Sequence, residues 1–240
     1  MKIQDYCSII LENKLINKLK TLEYILKNQK DILIGIIENI CKNLISAEQI
    51  LTELDSHIGD GDCGIGVRKG FEAVQKVIPE LNSLELADIL RKVGFTLAYT
   101  IGGTSGAMLG TGFIELGKGL KEKTEPDIFN WVSAVNFSLE GIKRRGGNTR
   151  VGDKTMIDAL EPAVFSMVNS TDTNKEINLV SLFEKALEEA KRGSESTINI
   201  AAKKGRASYL GDRSIGFKDP GSVIICSIFE SAYDYLRNNT

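Results

Sequence analysis

Apolar residues recur through most of the chain at i, i+3, i+4 and i+7, the spacing that places them on one face of an α-helix, and seldom in strict alternation. In residues 6–26 the set Ile9, Ile16, Leu19, Leu22 and Leu26 marks one such face. Residues 32–44 repeat the pattern, and Ser46-x-x-Gln49 reads as a capping box opening a short further helix. Phe71, Val74 and Ile78 define the next segment, which Pro79 is expected to end. Asn82 or Ser83 is placed to cap a helix running through Leu86, Leu90 and Phe95 to a cluster of glycines. Further helices are predicted at 106–121, 127–144, 155–168, 179–192, 195–204 and 220–236. For the last, Asp219-Pro220 supplies a capping acid and a proline at the first helical position. Ser222–Phe229 is β-branched enough for a strand, but Phe229, Ala232, Tyr233 and Leu236 continue it at helical spacing. No alternation of strands and helices is visible, so the predicted fold class is all-α.

Two stretches modify this picture. Residues 1–30 read as an N-terminal helical extension: a Lys-rich amphipathic helix that ends in the polar break KNQKD, with residues 31–240 forming the main domain. Acidic residues dilute its basic face, which favours packing on the body or on a partner over a membrane surface. From Val93 to Ile114 there are 22 residues without a charge, enough to span a bilayer. Six of them are glycine and five are Ser or Thr, which suits a buried turn between two core helices better.

Composition narrows the function. Thirty basic and thirty-two acidic side chains give a net charge of −2 over 240 residues, without the basic excess of a non-specific nucleic-acid binder. The four cysteines, Cys7, Cys41, Cys63 and Cys226, form no C-x-x-C pair, so neither a zinc site nor a disulfide framework follows. The N-terminus lacks the separate regions of a signal peptide, and a cytoplasmic location is expected.

Four segments carry chemistry. In Leu54-Asp55-Ser56-His57-Ile58-Gly59-Asp60-Gly61-Asp62-Cys63-Gly64, three acids are separated by glycines. On a continuous helix Asp55 and Asp60 would lie about 140° apart, whereas a glycine-bent loop aims Asp55, Asp60 and Asp62 at one point. Converging carboxylates repel unless a cation sits among them, and hard oxygen donors suit Mg²⁺ or Ca²⁺. An EF-hand fails, because Phe71 stands where its bidentate Glu belongs. The same stretch matches G-x-G-x-x-G through Gly59, Gly61 and Gly64, but a helical pattern precedes it where a dinucleotide fold needs a strand. A solvated acidic loop is the plain alternative. The second segment, Gly102-Gly103-Thr104-Ser105-Gly106, exposes backbone N–H groups at a helix start, which suits a phosphate or simply a tight turn. The third, Gly152-Asp153-Lys154-Thr155-Met156, imitates a P-loop but fails it, since Asp153 separates glycine from lysine. There Thr155-x-x-Asp158 reads as a capping-box variant. The fourth is Gly205-Arg206-Ala207-Ser208-Tyr209-Leu210-Gly211, followed by Asp219-Pro220-Gly221. Arg206 suits a phosphate and the Asp219 turn a close ligand contact, with surface ion pairing the alternative for either alone. Together the four specify a metal–nucleotide site.

In this order the phrases LDSHIGDGDCG, IGGTSGAMLG, GDKTMIDALEPA and GRASYLGDRSIGFKDPG resemble the nucleotide-binding L subunit of bacterial dihydroxyacetone kinase, over roughly residues 31–236. The resemblance implies a barrel of about eight antiparallel helices with ADP or ATP and Mg²⁺ at one end. It implies Asp55, Asp60 and Asp62 as magnesium ligands. The implied nucleotide contacts are Cys63, Gly64, Ile65, Gly66, Thr104, Ser105, Gly146, Met156, Arg206, Asp219, Pro220 and Gly221. Its implied partner is a K-type subunit that holds dihydroxyacetone on a histidine, with a phosphohistidine protein as one admissible donor. A homodimer is left open, and neither nucleic acid nor membrane is expected as a partner. Two positions depart from the family: Cys63 and Phe217 stand where histidine is usual. Other readings are an L subunit for a related ketose or polyol, an ADP-loaded regulatory module without catalysis, and a metal-binding scaffold without nucleotide.

Overall fold

Helices follow one another along the chain of the computed structural model, which describes residues 29–123, 125–171 and 178–239. The segment α1 covers residues 29–46. It is followed by α2 (Glu48–Ile58), α3 (Cys63–Leu81), α4 (Leu86–Thr100), α5 (Gly103–Gly119), α6 (Ile128–Arg145), α7 (Ile157–Thr171), α8 (Leu179–Ser196) and α9 (Pro220–Asn239). Two 3₁₀ segments, Thr197–Asn199 and Arg206–Ser214, lie between α8 and α9. No strand occurs among the described residues, as the helical periodicity predicts. The helix expected over residues 6–26 lies outside the described residues.

Each helix from α2 to α9 packs on the next along the chain, α3 also touches α5, and α9 returns to α2 and α7. On α1, Asn39 donates to the Ser231 carbonyl of α9 at 2.7 Å and Asn43 to the Ser231 hydroxyl at 2.9 Å. The last helix therefore covers the first, an order of packing compatible with the barrel that the resemblance implies. The apolar faces meet in one core that includes Leu44, Leu51, Phe71, Leu97, Ile157 and Ile224.

The uncharged stretch resolves into the α4–α5 pair. A Cβ on Gly110 would lie 2.5 Å from the Ala98 Cβ and 2.6 Å from the Gly94 carbonyl, and one on Gly117 would lie 2.5 Å from the Ala87 carbonyl. Hydrogen side chains are thus what let the two backbones approach, and a larger group must push them apart. No described helix is long and apolar enough to cross a membrane.

Several expected boundaries move, for local reasons. Ser46 lies in the last turn of α1 and donates to the Lys42 carbonyl at 2.9 Å. Ala47 stands before α2 with no side-chain cap, and its N–H already bonds Asn43 O at 3.0 Å. The two helices are nearly continuous, so no group is left for the Ser46 box to satisfy. Pro79 does not end α3, which runs on to Leu81; near the C-terminus its missing N–H removes only one ladder bond. Neither Asn82 nor Ser83 caps α4: Ser83 donates back to the Glu80 carbonyl at 2.8 Å, and the helix opens after Glu85. Residues 195–204 do not form a helix of their own. Thr197 turns its hydroxyl to Ser194 O at 2.6 Å and breaks the ladder into a 3₁₀ turn and irregular chain. The Thr155–Asp158 box is present: Asp158 accepts from the Thr155 N–H at 2.7 Å, and the Thr155 hydroxyl accepts from Ile157 N–H at 3.2 Å.

A Gly110→Ala substitution is expected to destabilise the fold by about 1–3 kcal/mol through overpacking. Thermal unfolding followed by circular dichroism checks this; an unchanged midpoint refutes the close-approach role of this glycine.

Candidate functional site

A cleft of about 550 Å³ gathers all four sequence segments. Its acidic wall comes from the α2–α3 junction. Asp55 projects from the last turn of α2, and a Cβ on Gly59 would lie 2.1 Å from its Oδ1, so only glycine leaves the carboxylate its place. Gly61 takes φ +74°, a left-handed conformation that returns the chain toward α3. Asp62 then stands at the N-cap of α3, and the Cys63 N–H donates to Asp55 Oδ2 at 3.1 Å. Ligand oxygens of Asp55, Asp60 and Asp62 lie within 4.8 Å of one another. Three carboxylates at this separation fit a hard divalent cation such as Mg²⁺ in charge and donor type. Arg206 reaches the same acids, pairing with Asp60 and lying 3.1 Å from Asp62.

Across the cleft, α5 begins at Gly103 after Gly102. Both glycines have positive φ, +73° and +57°, and a Cβ on either would meet nothing within 4 Å. The requirement there is backbone conformation, and the result is a bare helix N-terminus with Thr104 and Ser105 in the cleft lining. Gly146, at the end of α6, completes this side.

The third wall rests on buried polar groups. Asp158 is fully buried and accepts from Gly152 N–H at 2.6 Å as well as from Thr155. Lys154, 1% exposed, donates to the carbonyls of Thr197 and Phe217 and so ties three loops together. Its own φ of +62° is unusual for a residue with a Cβ. Asp219 accepts from the Ser222 N–H at 2.6 Å, and its backbone N–H donates to the Thr197 hydroxyl at 3.0 Å. A Cβ on Gly221 would lie 3.0 Å from the Asp219 carboxylate and 3.3 Å from Met156 N. Burial is the main cause of every pKa shift here. It pushes the Asp219 carboxyl up to about 7, with the Asp158 and Asp55 charges acting in the same direction. It raises Asp158 and lowers Lys154. The Cys63 thiol is pushed up to about 12, first by burial and then by Asp55, Asp219 and Asp62, and is neutral at ordinary pH.

Of the residues singled out in the sequence, Asp55, Asp60, Asp62, Cys63, Ile65, Gly66, Thr104, Ser105, Gly146, Met156, Arg206, Asp219, Pro220 and Gly221 all line this cleft. Gly64 does not. A Cβ there would lie 2.1 Å from the Glu48 carbonyl, so this glycine serves the packing of α3 on α2. His57 stacks on Phe217, ring centroids 4.5 Å apart, and takes no place among the acids. Lys154 and Thr149 are among the lining residues that the sequence motifs did not assign to the site. Lys154 was visible only as part of a failed P-loop. Thr149 carries a buried hydroxyl without a hydrogen-bond partner beside Gly146, a donor suited to a polar ligand, and no local pattern marks it.

Comparison with known proteins bears on this cleft. Residues 57–234 match the DAK2 domain. The chain is 35% identical over 184 residues to the ADP-binding subunit DhaL of PEP-dependent dihydroxyacetone kinase 1 of Listeria innocua, covering 77% of this chain and 85% of that subunit. It is 35% identical over 186 residues to the corresponding Escherichia coli ADP-binding subunit, covering 77% and 87%. Among solved structures it resembles the dihydroxyacetone kinase of C. freundii in complex with AMP-PNP and Mg²⁺, with a TM-score of 0.64 and 26% identity. That match covers 84% of this chain and 33% of the kinase, so the chain spans about a third of that protein.

Two outcomes are expected. Asp60→Asn and Asp62→Asn each abolish Mg²⁺-dependent nucleotide binding in calorimetry. Both keep the helical spectrum and melt within about 1 kcal/mol of the parent, since the Arg206 pairs are exposed. Undiminished nucleotide affinity in either variant removes the acids from the site. Asp219 supplies a pH dependence of known sign. Its folded pKa, about 7, lies above the unfolded value of roughly 3.9. The native state therefore binds more protons in this window, and stability from this group declines as pH rises through it. Asp219→Asn should show a melting advantage over the parent that grows between pH 5 and pH 8. A difference independent of pH contradicts the burial of an ionisable Asp219.

Proposed function

We propose that this chain, which belongs to the DAK2 domain family, is the nucleotide-binding subunit of a dihydroxyacetone kinase acting in the cytoplasm. The observation that carries the reading is convergence. Three carboxylates, the bare N-terminus of α5, Arg206 and the Asp219–Gly221 turn border one cleft. Acids alone would suit a cation, and helix starts alone an anion; the two together suit a magnesium nucleotide. Both relatives described above carry ADP-binding in their names, and the solved kinase holds AMP-PNP and Mg²⁺.

When bound, the magnesium nucleotide supplies the phosphoryl group. The chain's own residues bind, orient and neutralise. Asp55, Asp60 and Asp62 offer the hard oxygen donors that Mg²⁺ prefers. The N–H groups at Thr104 and Ser105 carry the positive end of α5 toward the phosphates. Arg206, already at the rim beside the acids, adds cationic charge where a transferring group develops negative charge. The Thr149 hydroxyl and the Lys154-braced loop shape the remaining wall. No side chain here is required as general base, because the acceptor hydroxyl belongs to dihydroxyacetone held on a separate K-type subunit. The PEP-dependent names of both relatives favour a standing ADP recharged by a phosphohistidine protein over free exchange with ATP.

The purified chain is expected to retain ADP through gel filtration in the presence of Mg²⁺. It is expected to leave free dihydroxyacetone unphosphorylated by itself, and to support turnover once mixed with a K-type subunit and a phosphoryl donor. Robust phosphorylation by the isolated chain would overturn the division of labour, and absence of bound nucleotide would overturn the cleft assignment.

A further inference from the structure

Two walls of the cleft meet at its acidic end, and contacts of different kinds join them. One wall carries Asp55, Asp60 and Asp62 at the α2–α3 junction. The other runs from the 3₁₀ segment that opens at Arg206 to the Asp219–Gly221 turn at the start of α9. Arg206 joins the two through its ion pairs with Asp60 and Asp62. These pairs are exposed, and they occupy the same carboxylates that a divalent cation would take. A cation that replaces Arg206 there removes that tie.

An aromatic contact between the same walls has no such dependence. His57 is exposed in the last turn of α2, two residues beyond Asp55, and Phe217 stands two residues before Asp219. Their rings stack with centroids 4.5 Å apart and planes 16° from parallel, a separation within the favourable range for paired rings. Each ring is anchored on its own side. Asp55 is held by the Cys63 N–H at 3.1 Å, which fixes the end of α2 locally. The Phe217 carbonyl accepts from the buried Lys154, and the neighbouring Gly216 N–H donates to the Ile198 carbonyl at 2.8 Å. We infer that His57 and Phe217 are positioning residues for the magnesium nucleotide, a role that rests on the assignment of that ligand to this cleft. The stack holds the acid loop and the Asp219–Gly221 turn at the spacing one ligand must bridge, and it keeps that spacing when a cation displaces Arg206. A metal ion alone touches only the acid loop and gains nothing from the stack. A magnesium nucleotide touches both walls, and without the stack its own binding must bring them together.

Mn²⁺ binding followed by electron paramagnetic resonance reads the acid loop alone, and calorimetry of ADP in saturating Mg²⁺ reads both walls at once. His57→Ala and Phe217→Ala are each expected to lower ADP affinity about threefold to tenfold, the range of one aromatic pair, with Mn²⁺ affinity within about twofold of the parent. The double variant should lose no more than either single one, because both remove the same contact. His57→Phe, which keeps a ring on Phe217, should bind ADP like the parent. Thermal melting by circular dichroism confirms that every variant is folded at the assay temperature. Parental ADP affinity in both alanine variants, additive losses in the double variant, or a His57→Phe protein as weak as His57→Ala overturns the positioning role. So does an equal loss of Mn²⁺ affinity, which makes the rings supports of the acid loop alone. A parent protein that binds no ADP with Mg²⁺ overturns the nucleotide assignment itself, and the positioning role with it.

Discussion

Three carboxylates held within 4.8 Å of one another impose the constraint around which the rest of the site is arranged. Mutual repulsion would open the α2–α3 junction unless positive charge were brought to it. The fold brings three sources. The N-terminus of α3 begins at the third acid, the Cys63 N–H binds Asp55, and Arg206 crosses from a segment 144 residues away to Asp60 and Asp62. Helix dipole and backbone donor are fixed by local geometry, whereas an exposed arginine is replaceable. In the proposed role a divalent cation would take over from Arg206, whose exposed pairs are the counter-charge most easily displaced.

Opposite the acids, rigidity comes from burial of polar groups. Lys154, Asp158 and Asp219 are inside the protein, and each finds hydrogen-bond partners there. Breaking one such partnership leaves a buried charge without a partner, which is far more destabilising than the pair is stabilising. That asymmetry ties the loops before α7 and α9 to each other through Lys154. Burial raises the Asp219 pKa, and the hydrogen bond from the Ser222 N–H opposes that rise.

Small residues determine how closely these walls approach. Gly94 and Gly110 let α4 and α5 touch along their backbones, and Gly64 does the same for α3 on α2. Gly102 and Gly103 differ in kind, because nothing would meet a side chain there and their positive φ is what counts. One residue type thus does two jobs, close packing in the helices and chain reversal at the cleft, and only surroundings tell them apart.

Much of this was legible along the chain. Helical class follows from the period of apolar positions, and the motifs that line the cleft are short and local, so Asp55, Asp60, Asp62, Thr104, Ser105, Arg206 and Asp219 could be named as candidates from residues a few places apart. Caps were less legible. Ser46, Asn82 and Ser83 have capping chemistry, but their hydroxyl and amide groups have alternative partners one turn away, and tertiary packing chose among them. Gly64 shows the same limit, since its motif assigns it to a ligand and its neighbours assign it to α2. Lys154 and Thr149 mark what only the folded chain decided. The Lys154 amine is held by the carbonyls of Thr197 and Phe217, more than forty residues away, and the Thr149 hydroxyl is left unpaired by packing around Gly146. Local spacing reports what neighbours in sequence do; burial and partnership between distant segments arise only when the helices close on one another.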